Sequence, residues 1–243
     1  MRRHLLPFYD ERKSKIDMIV IHSVAFAPEA AIQSFRDYNV TSHYLIGEDG
    51  EIWQLAGEKN RAWHAGKSKW RGHEDINSRS IGIELCSPSL GQKPFTKAQV
   101  QSLSELLKRL VCKYKIVQGN IVGHSDIAPI RKADPGKAFF WKDLASDGLG
   151  LWYDKKDAAK VAETDAAGML AQIGYDTADI TAAAYAFCRR FLPVKVKTVA
   201  DVFSLDGNPA TADETLLADE DFLTVLKAVY YAYCRESNTP CKI

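Results

Sequence analysis

The sequence predicts an α/β domain with a central mixed sheet flanked by helices, followed by a small all-helical domain. Short β-branched runs alternate with segments of helical periodicity over the first 145 or so residues. A break follows at residues 146–150, which read Ser-Asp-Gly-Leu-Gly. The remaining sequence is rich in alanine and keeps helical spacing of its apolar residues. We therefore place the first domain at residues 1–153 and the second at residues 154–243.

The first elements are a strand, a helix and a hairpin. Residues 16–22 form a β-branched apolar run that ends in His22. Pro28 then stands where a helix would begin, and apolar residues follow at helical spacing. Asp49-Gly50 separates apolar residues 43–46 from apolar residues 52–55, which predicts a β-hairpin.

The next elements are a strand, a long helix and a strand. Residues 80–85 form a second short apolar run. Thr96, with Gln99 three positions later, has the pattern of a capping box, and the helix it opens continues to about Tyr114. Residues 121–124 return to a strand pattern that ends in His124. Beyond the break, residues 155–192 and 215–235 have helical patterns.

Composition excludes several classes of function. The 243 residues are 46% hydrophobic and carry a formal net charge of +1, so no overall field favours nucleic acid or an anionic membrane. No stretch approaches the roughly 18 apolar residues of a transmembrane segment. The apolar run at the N-terminus stops at Pro7, which argues against a signal peptide and favours the cytoplasm, with the periplasm as the alternative. Five cysteines without metal-binding spacing indicate reduced thiols.

Four residues could carry chemistry in the first domain. His22 and His124 each lie at the end of an apolar strand, and Asp134 follows ten residues after His124. Two neutral imidazoles and a carboxylate, with a fourth position left open, are what a catalytic zinc site requires. Glu84 lies in the apolar run 81–85, where a carboxylate is costly unless it is paired or used. On spacing alone, a histidine at the end of a strand is more often structural than a ligand, and Glu84 could equally be a salt-bridged strand residue.

Residues 123–136, GHSDIAPIRKADPG, resemble the signature loop of the zinc-dependent N-acetylmuramoyl-L-alanine amidases, a bacterial family related to the peptidoglycan recognition proteins. Four further blocks resemble that family in the same order: residues 19–23, 42–46, 61–66 and 77–85. Residues 68–72 most resemble the branch of the outer-membrane lipoprotein amidase, with the anhydro-muropeptide amidases as near relatives.

The resemblance implies a function and a set of roles. The reaction would be zinc-dependent hydrolysis of the amide between N-acetylmuramic acid, including its 1,6-anhydro form, and L-alanine, in cell-wall turnover or recycling. His22, His124 and Asp134 would bind Zn²⁺, Glu84 would be the catalytic acid, and Lys132 would be its partner. The partner molecule would be peptidoglycan or a soluble muropeptide.

Four more residues are candidates for substrate binding. His64 is expected to face the cleft, and Trp63 could offer a flat face to sugar or peptide, with a core aromatic as its alternative. Asn77 and Arg79 could contact the stem peptide, although a role within the loop is as plausible.

Three alternatives stay open. The first is a non-enzymatic muropeptide receptor on the same fold, against which the intact acid and ligand set argue. The second is a cysteine peptidase using Cys86 or Cys112, neither of which lies in an activating motif. The third concerns the helical domain, which faintly resembles peptidoglycan-binding modules and could bind the wall or serve a structural or dimerising role.

Overall fold

The computed structural model describes residues 1–196 and 214–236, which form eight strands and eight α-helices. The strands are β1 (Arg2–Arg3), β2 (Tyr9–Glu11), β3 (Met18–Val24), β4 (Tyr44–Ile46), β5 (Ile52–Gln54), β6 (Asn60–Ala62), β7 (Ser80–Cys86) and β8 (Ile121–Gly123). The helices are α1 (Pro28–Asp37), α2 (Ile76–Arg79), α3 (Lys97–Tyr114), α4 (His124–Ile127), α5 (Trp141–Ser146), α6 (Ala166–Ile173), α7 (Ile180–Phe191) and α8 (Glu220–Glu236).

The central sheet is mixed, as the sequence predicts. Its six strands lie in the order β1-β5-β4-β7-β3-β8. β3 runs parallel to both β7 and β8, and β4 runs parallel to β7. β4 and β5 pair antiparallel across the predicted hairpin. β2 and β6 form a separate two-stranded sheet.

The two faces of the sheet are covered by different helices. Successive residues of a strand point to opposite faces, so the alternation along β3 separates two clusters of buried side chains. Ile19 and Ile21 pack with α3, whose buried face includes Leu103 and Leu107. Met18, with Val20 two residues on, faces the other side of the sheet.

That other side is covered by the C-terminal helices. Leu170 of α6, Phe187 of α7 and Phe222 of α8 are buried in the same cluster as Val20 of β3 and Val122 of β8. The helical region therefore completes a core that begins in the sheet. A boundary near residue 153 stays a prediction, and residues 197–213 and 237–243 of the predicted second domain lie outside the described residues.

The long helix begins where the sequence predicts. The Thr96 hydroxyl accepts a hydrogen bond from the backbone of Gln99 at 3.1 Å, and the Gln99 side chain accepts one from the backbone of Thr96 at 3.2 Å. Both halves of the capping box are therefore present. α3 ends before Lys115, which adopts a left-handed conformation with φ 55°. The helix predicted at Pro28 is likewise confirmed as α1.

Two segments differ from expectation. The strand predicted for residues 121–124 ends at Gly123, because the Asp126 carboxylate accepts the Gly123 backbone N–H at 2.8 Å and opens α4 at His124. Residues 155–192, expected to be helical, begin instead with a 3₁₀ turn at Lys155–Lys160 and an irregular stretch at residues 161–165 before α6, which ends at Ile173, ahead of Gly174 with φ 138°. No helix in the described ranges is long and apolar enough to cross a membrane.

Candidate active site and metal centre

Three potential metal ligands meet at the C-terminal ends of β3 and β8. His22 is on β3, His124 is the first residue of α4 directly after β8, and Asp134 lies in the loop beyond α4. The Nδ1 atoms of the two histidines are 2.9 Å apart. Asp134 Oδ2 lies 3.3 Å from Nδ1 of His22 and 3.2 Å from Nδ1 of His124. The donor atoms of these three residues lie within 4.8 Å of one another, close enough to share one ion.

The surroundings keep His22 and Asp134 in the protonation states that a metal ligand needs. Burial, together with the neighbouring His124, lowers the pKa of His22 to about 4. Burial raises the pKa of Asp134, but the two histidines outweigh it and hold that pKa well below its usual value. A neutral His22 imidazole therefore lies beside an ionised carboxylate at neutral pH. This donor set suits zinc, which binds imidazole nitrogen and carboxylate oxygen.

Glu84 lies on β7, beside the histidine of β3. Its Oε2 atom is buried and has no hydrogen-bond partner among the described residues. Burial, and then the negative charge of Asp134, raise the pKa of Glu84 well above its usual value. A carboxyl group with a raised pKa can both take and return a proton near neutral pH.

Lys132 and Glu84 open onto one cavity of about 410 Å³, which also includes the three potential ligands in its lining. Lys132 is only two residues before Asp134, so the metal loop itself carries this cation to the cavity. The site thus places an acid, a cation and a possible metal around a single space. Such a combination suits hydrolysis of a carbonyl compound such as an amide.

Trp63 and His64 both line this cavity. The Trp63 side chain is 36% exposed and presents a ring surface to the open space. His64 contacts the site from inside, because its Nδ1 atom lies 3.0 Å from Nε2 of His22. Substrate binding by Trp63 and His64 stays a prediction, and His64 also has a contact with a potential metal ligand.

Asn77 and Arg79 are placed differently from each other. Asn77 lines the cavity but is only 9% exposed, and its Oδ1 atom accepts the backbone N–H groups of His64 and Ala65 at 3.1 and 2.8 Å. Arg79 is not among the described residues lining the cavity and forms an ion pair with Asp17, with Nε 3.0 Å from Oδ1. The structure therefore brings Asn77 to the site and leaves Arg79 outside it. Substrate contact by either residue stays a prediction.

Sequence reasoning missed an apolar wall of the cavity. Phe26, Tyr38 and Val40 line it and are 39%, 66% and 36% exposed. Tyr38 follows α1 and had the spacing of that helix's buried face, so periodicity alone could not distinguish it from a core residue. An exposed aromatic surface beside a polar centre suits a ligand with an apolar or sugar-ring face.

A buried ion pair behind the metal loop was also missed. Arg190 of α7 and Asp126 of α4 are each 1% exposed, and Arg190 Nη1 lies 2.9 Å from Asp126 Oδ2. The Tyr175 hydroxyl donates to Asp126 Oδ1 at 2.8 Å. The helical region therefore contacts the segment that carries His124.

Comparison with known proteins agrees with this geometry. The sequence profile described as N-acetylmuramoyl-L-alanine amidase matches residues 12–137, slightly more than half of the chain. The chain is 40% identical over 186 residues to N-acetylmuramoyl-L-alanine amidase AmiD of Escherichia coli K12, covering 67% of each protein. It is 36% identical over 163 residues to 1,6-anhydro-N-acetylmuramyl-L-alanine amidase AmpD of Haemophilus influenzae, covering 58% of this chain and 88% of AmpD.

A solved structure extends the likeness to the helical region. The complex of E. coli AmiD with anhydro-N-acetylmuramic acid-L-Ala-D-γ-Glu-L-Lys matches 93% of this chain and 92% of the AmiD chain, with a TM-score of 0.72 and 30% identity. The fold of the sheet and that of the C-terminal helices are therefore shared with that protein. Taken with the profile match and the ligand and acid positions, these findings show that the chain belongs to the N-acetylmuramoyl-L-alanine amidase family.

Proposed function

We propose that this chain hydrolyses the amide bond between N-acetylmuramic acid and L-alanine in peptidoglycan or muropeptides, with a zinc ion held by His22, His124 and Asp134. The observation that carries the proposal is the meeting of those three groups with Glu84 in one cavity. Family membership supports the reaction, since AmiD and AmpD are both named as amidases of this bond.

The three residues fit zinc in donor type and in number. Catalytic zinc sites commonly use three protein ligands and leave a fourth position for water or substrate. When bound, zinc supplies a Lewis acid and a water whose pKa falls from about 15.7 towards about 7. The chain's own residues hold and move the protons and stabilise the charge that forms.

Glu84 is the proton carrier in this proposal. It takes a proton from the attacking water and returns it to the amine of L-alanine as that group leaves. Its raised pKa suits this role, because a carboxylate that is more basic than usual takes the proton from water more readily and holds it near neutral pH until the leaving amine accepts it. General acid–base catalysis of this kind typically contributes about 10²–10⁴-fold to the rate.

Lys132 stabilises negative charge in this proposal. Charge builds on the lactyl carbonyl oxygen as the bond to L-alanine is attacked, and Lys132 places an ammonium group in the same cavity. A fixed donor aimed at such an oxygen is typically worth about 10²–10³-fold in kcat. The proposed roles of Glu84 and Lys132 are therefore separable by mutation.

The proposed substrates include the 1,6-anhydro form. AmpD is named for the anhydro compound, and the AmiD complex contains an anhydro-muropeptide. We propose a cytoplasmic location and a role in recycling, with a periplasmic location and turnover of the wall as the alternative. The ratio of rates on the anhydro and the reducing-end muropeptide separates strict recycling specificity from broad specificity.

The test is mass spectrometry of the products from both muropeptides, with and without a chelator. We expect release of free peptide that begins at L-alanine, its loss on chelation, and its return when zinc is added. Absence of peptide release from both substrates by protein that holds one zinc per chain would favour the receptor alternative.

The cysteine-peptidase alternative has little support from the site. Burial, together with the nearby charge of Glu84, raises the pKa of the Cys86 thiol to about 12, far from the reactive thiolate state. Cys112 is exposed on α3, on the side of the sheet opposite His22. We therefore expect inhibition by chelators and none by thiol reagents.

We also propose a catalytic domain at residues 1–153 and a helical accessory domain at residues 154–243, which pack together through one shared core, and wall binding by the second. Sedimentation with insoluble peptidoglycan tests the second point, using the full chain with Glu84→Gln to prevent digestion. Retention on the wall that soluble muropeptide does not displace would support binding outside the cavity. Complete displacement would leave the helices with a structural role.

A further inference from the structure

In each of the two potential histidine ligands, the second ring nitrogen, Nε2, contacts a residue of the short segment 64–65. Nε2 of His124 lies 3.2 Å from the backbone carbonyl oxygen of Ala65. Nε2 of His22 lies 3.0 Å from Nδ1 of His64. Positions 64 and 65 therefore contact both histidines on the side away from Asp134.

The contact with Ala65 determines the tautomer of His124. A carbonyl oxygen can only accept a hydrogen bond, so Nε2 of His124 must carry the hydrogen. A neutral imidazole has one N–H, which leaves a lone pair on Nδ1. That is the atom that lies 3.2 Å from Asp134 Oδ2, in the potential metal site.

A longer chain of hydrogen bonds determines the tautomer of His22. The Ser80 hydroxyl donates to the backbone carbonyl of Ile76 at 2.6 Å, so its oxygen is left to accept from His64 Nε2, 3.2 Å away. With its hydrogen on Nε2, His64 presents a lone pair at Nδ1 and accepts from Nε2 of His22. The lone pair of His22 is then on Nδ1, beside that of His124.

Two further residues hold this segment in place. The Asn77 side chain accepts both backbone N–H groups of the segment, from His64 and from Ala65. Gly82 of β7 leaves room for the His64 ring, since a Cβ atom there would lie 2.5 Å from Cγ of His64. Asn77 lies in α2 and Ser80 is the first residue of β7, so one local structure supports both histidines.

We propose that His64, the Ala65 carbonyl, Asn77 and Ser80 form a frame that orients His22 and His124 with Nδ1 towards the metal. The inference rests on the proposed zinc site and gives His64 and Asn77 a positioning role in place of substrate contact. Groups that orient metal-binding histidines typically change metal affinity by about 10–100-fold when they are removed. The frame acts on the metal site before any substrate binds.

The test measures zinc affinity by competition with a chromophoric chelator, using the full chain carrying Ser80→Ala or His64→Phe. His64→Phe keeps an aromatic ring and removes both nitrogens. Ser42→Ala is the matched control, because Ser42 is also buried and its hydroxyl also donates to a backbone carbonyl, that of Tyr44 at 2.8 Å. The visible spectrum of the Co²⁺-loaded protein and the unfolding temperature of the metal-free protein are recorded for each variant.

We expect the zinc dissociation constant to rise about 10–100-fold in Ser80→Ala and His64→Phe and to stay unchanged in Ser42→Ala. The cobalt spectrum should change in the first two variants only, while the metal-free forms of Ser80→Ala and Ser42→Ala lose similar stability. Suppose that the unmodified protein binds one zinc. If Ser80→Ala and His64→Phe then keep the same zinc affinity and cobalt spectrum, the proposed frame is overturned and the proposed function is not. Failure of the unmodified protein to bind zinc would overturn the proposed function as well.

Asn77 provides an independent variant. Asn77→Asp keeps an oxygen that can accept both backbone N–H groups, whereas Asn77→Ala removes it. We expect Asn77→Asp to keep zinc affinity closer to that of the unmodified protein than Asn77→Ala does. Equal affinity in all three proteins, with a raised KM in Asn77→Ala, would assign Asn77 to substrate binding and contradict its place in the frame.

Discussion

His22 and Glu84 are direct register partners on the adjacent parallel strands β3 and β7. Partners in register project to the same face of a sheet, and neighbouring strands are about 4.8 Å apart. The backbone ladder of Met18–Val24 against Ser80–Cys86 therefore fixes the proposed acid next to a proposed zinc ligand. A slip of one residue would turn one of the two side chains to the opposite face.

Glu84→Gln should retain zinc and lose turnover. The amide keeps the size of the side chain but cannot accept and return a proton, so kcat should fall by about 10²–10⁴-fold. Elemental analysis of the metal content checks that zinc is retained, and mass spectrometry of the released peptide checks that turnover is lost. Glu105→Gln, at a glutamate on α3 outside the cavity, is the control. Activity within a few-fold of normal would remove Glu84 from the proton transfer.

His124→Ala should lose both zinc and turnover. The change removes one of three donors, and the two that remain cannot form a three-ligand site. Elemental analysis after gel filtration, alongside the activity assay, separates this result from that of Glu84→Gln. A variant that keeps one tightly bound zinc per chain would show that the ion is bound elsewhere.

Lys132→Met should retain zinc and lower kcat by about 10²–10³-fold, because the variant lacks the ammonium group that stabilises negative charge on the substrate's carbonyl oxygen. Steady-state kinetics on the anhydro-muropeptide measure the effect. Lys142→Met, at an exposed position of α5, should be neutral. A change confined to KM would show that Lys132 binds the substrate equally well before and during reaction.

Arg190→Met should destabilise the protein by about 3–5 kcal/mol, because it leaves the Asp126 carboxylate buried without its cation. Denaturant unfolding measures the loss. Adding Asp126→Asn to Arg190→Met should recover part of it by removing the uncompensated charge. Lys155→Met breaks an exposed pair with Asp221 and should change little. Equal effects of Arg190→Met and Lys155→Met would contradict the importance of burial here.

Glu58 should make stability depend on pH in acid. Burial raises its pKa, but hydrogen bonds outweigh that effect and lower the pKa from 4.5 to about 2. The donors are four side chains: Lys113, Tyr114, Tyr44 and Arg109. Since the pKa is lower in the folded state, the stabilisation is complete above pH 4.5 and is lost as the pH falls towards 2.

Urea unfolding of the unmodified protein and of Glu58→Gln, compared from pH 7 to pH 3, checks this prediction. The difference in stability between the two proteins should shrink steadily below about pH 4.5. A difference that stays constant over the whole range would show that the Glu58 charge contributes nothing.

Local patterns in the sequence were sufficient for the elements that depend on neighbours along the chain. The capping box of Thr96 and Gln99, the hairpin around Gly50 and the helix start at Pro28 are all set by residues within a few positions. The grouping of His22 with His124 is expected from the family resemblance of the loop at residues 123–136 and not from spacing, since the parallel pairing of β3 with β8 that brings them together is a long-range contact.

Contacts between distant residues could not be predicted in this way. Arg190 and Asp126 are 64 positions apart, and periodicity gives no sign of which buried charge will meet which. Arg79 lies in a family block, and its pairing with Asp17, 62 positions away, could not be predicted from that block. The hydrogen bonds that the Asn77 oxygen accepts from the backbone of His64 and Ala65 could not be predicted from the sequence either. Polar residues become informative only when their partners are known.

The core shared by the sheet and α6–α8 limits how this enzyme can be rearranged. Expressing residues 1–153 alone would expose the apolar side chains on one side of the sheet to water and would leave the Asp126 carboxylate without Arg190. Such a fragment should aggregate. Fusing α6–α8 to another hydrolase as a targeting tag would expose the complementary apolar side. Moving the helical region to another protein would therefore require matching changes on both sides of this shared core.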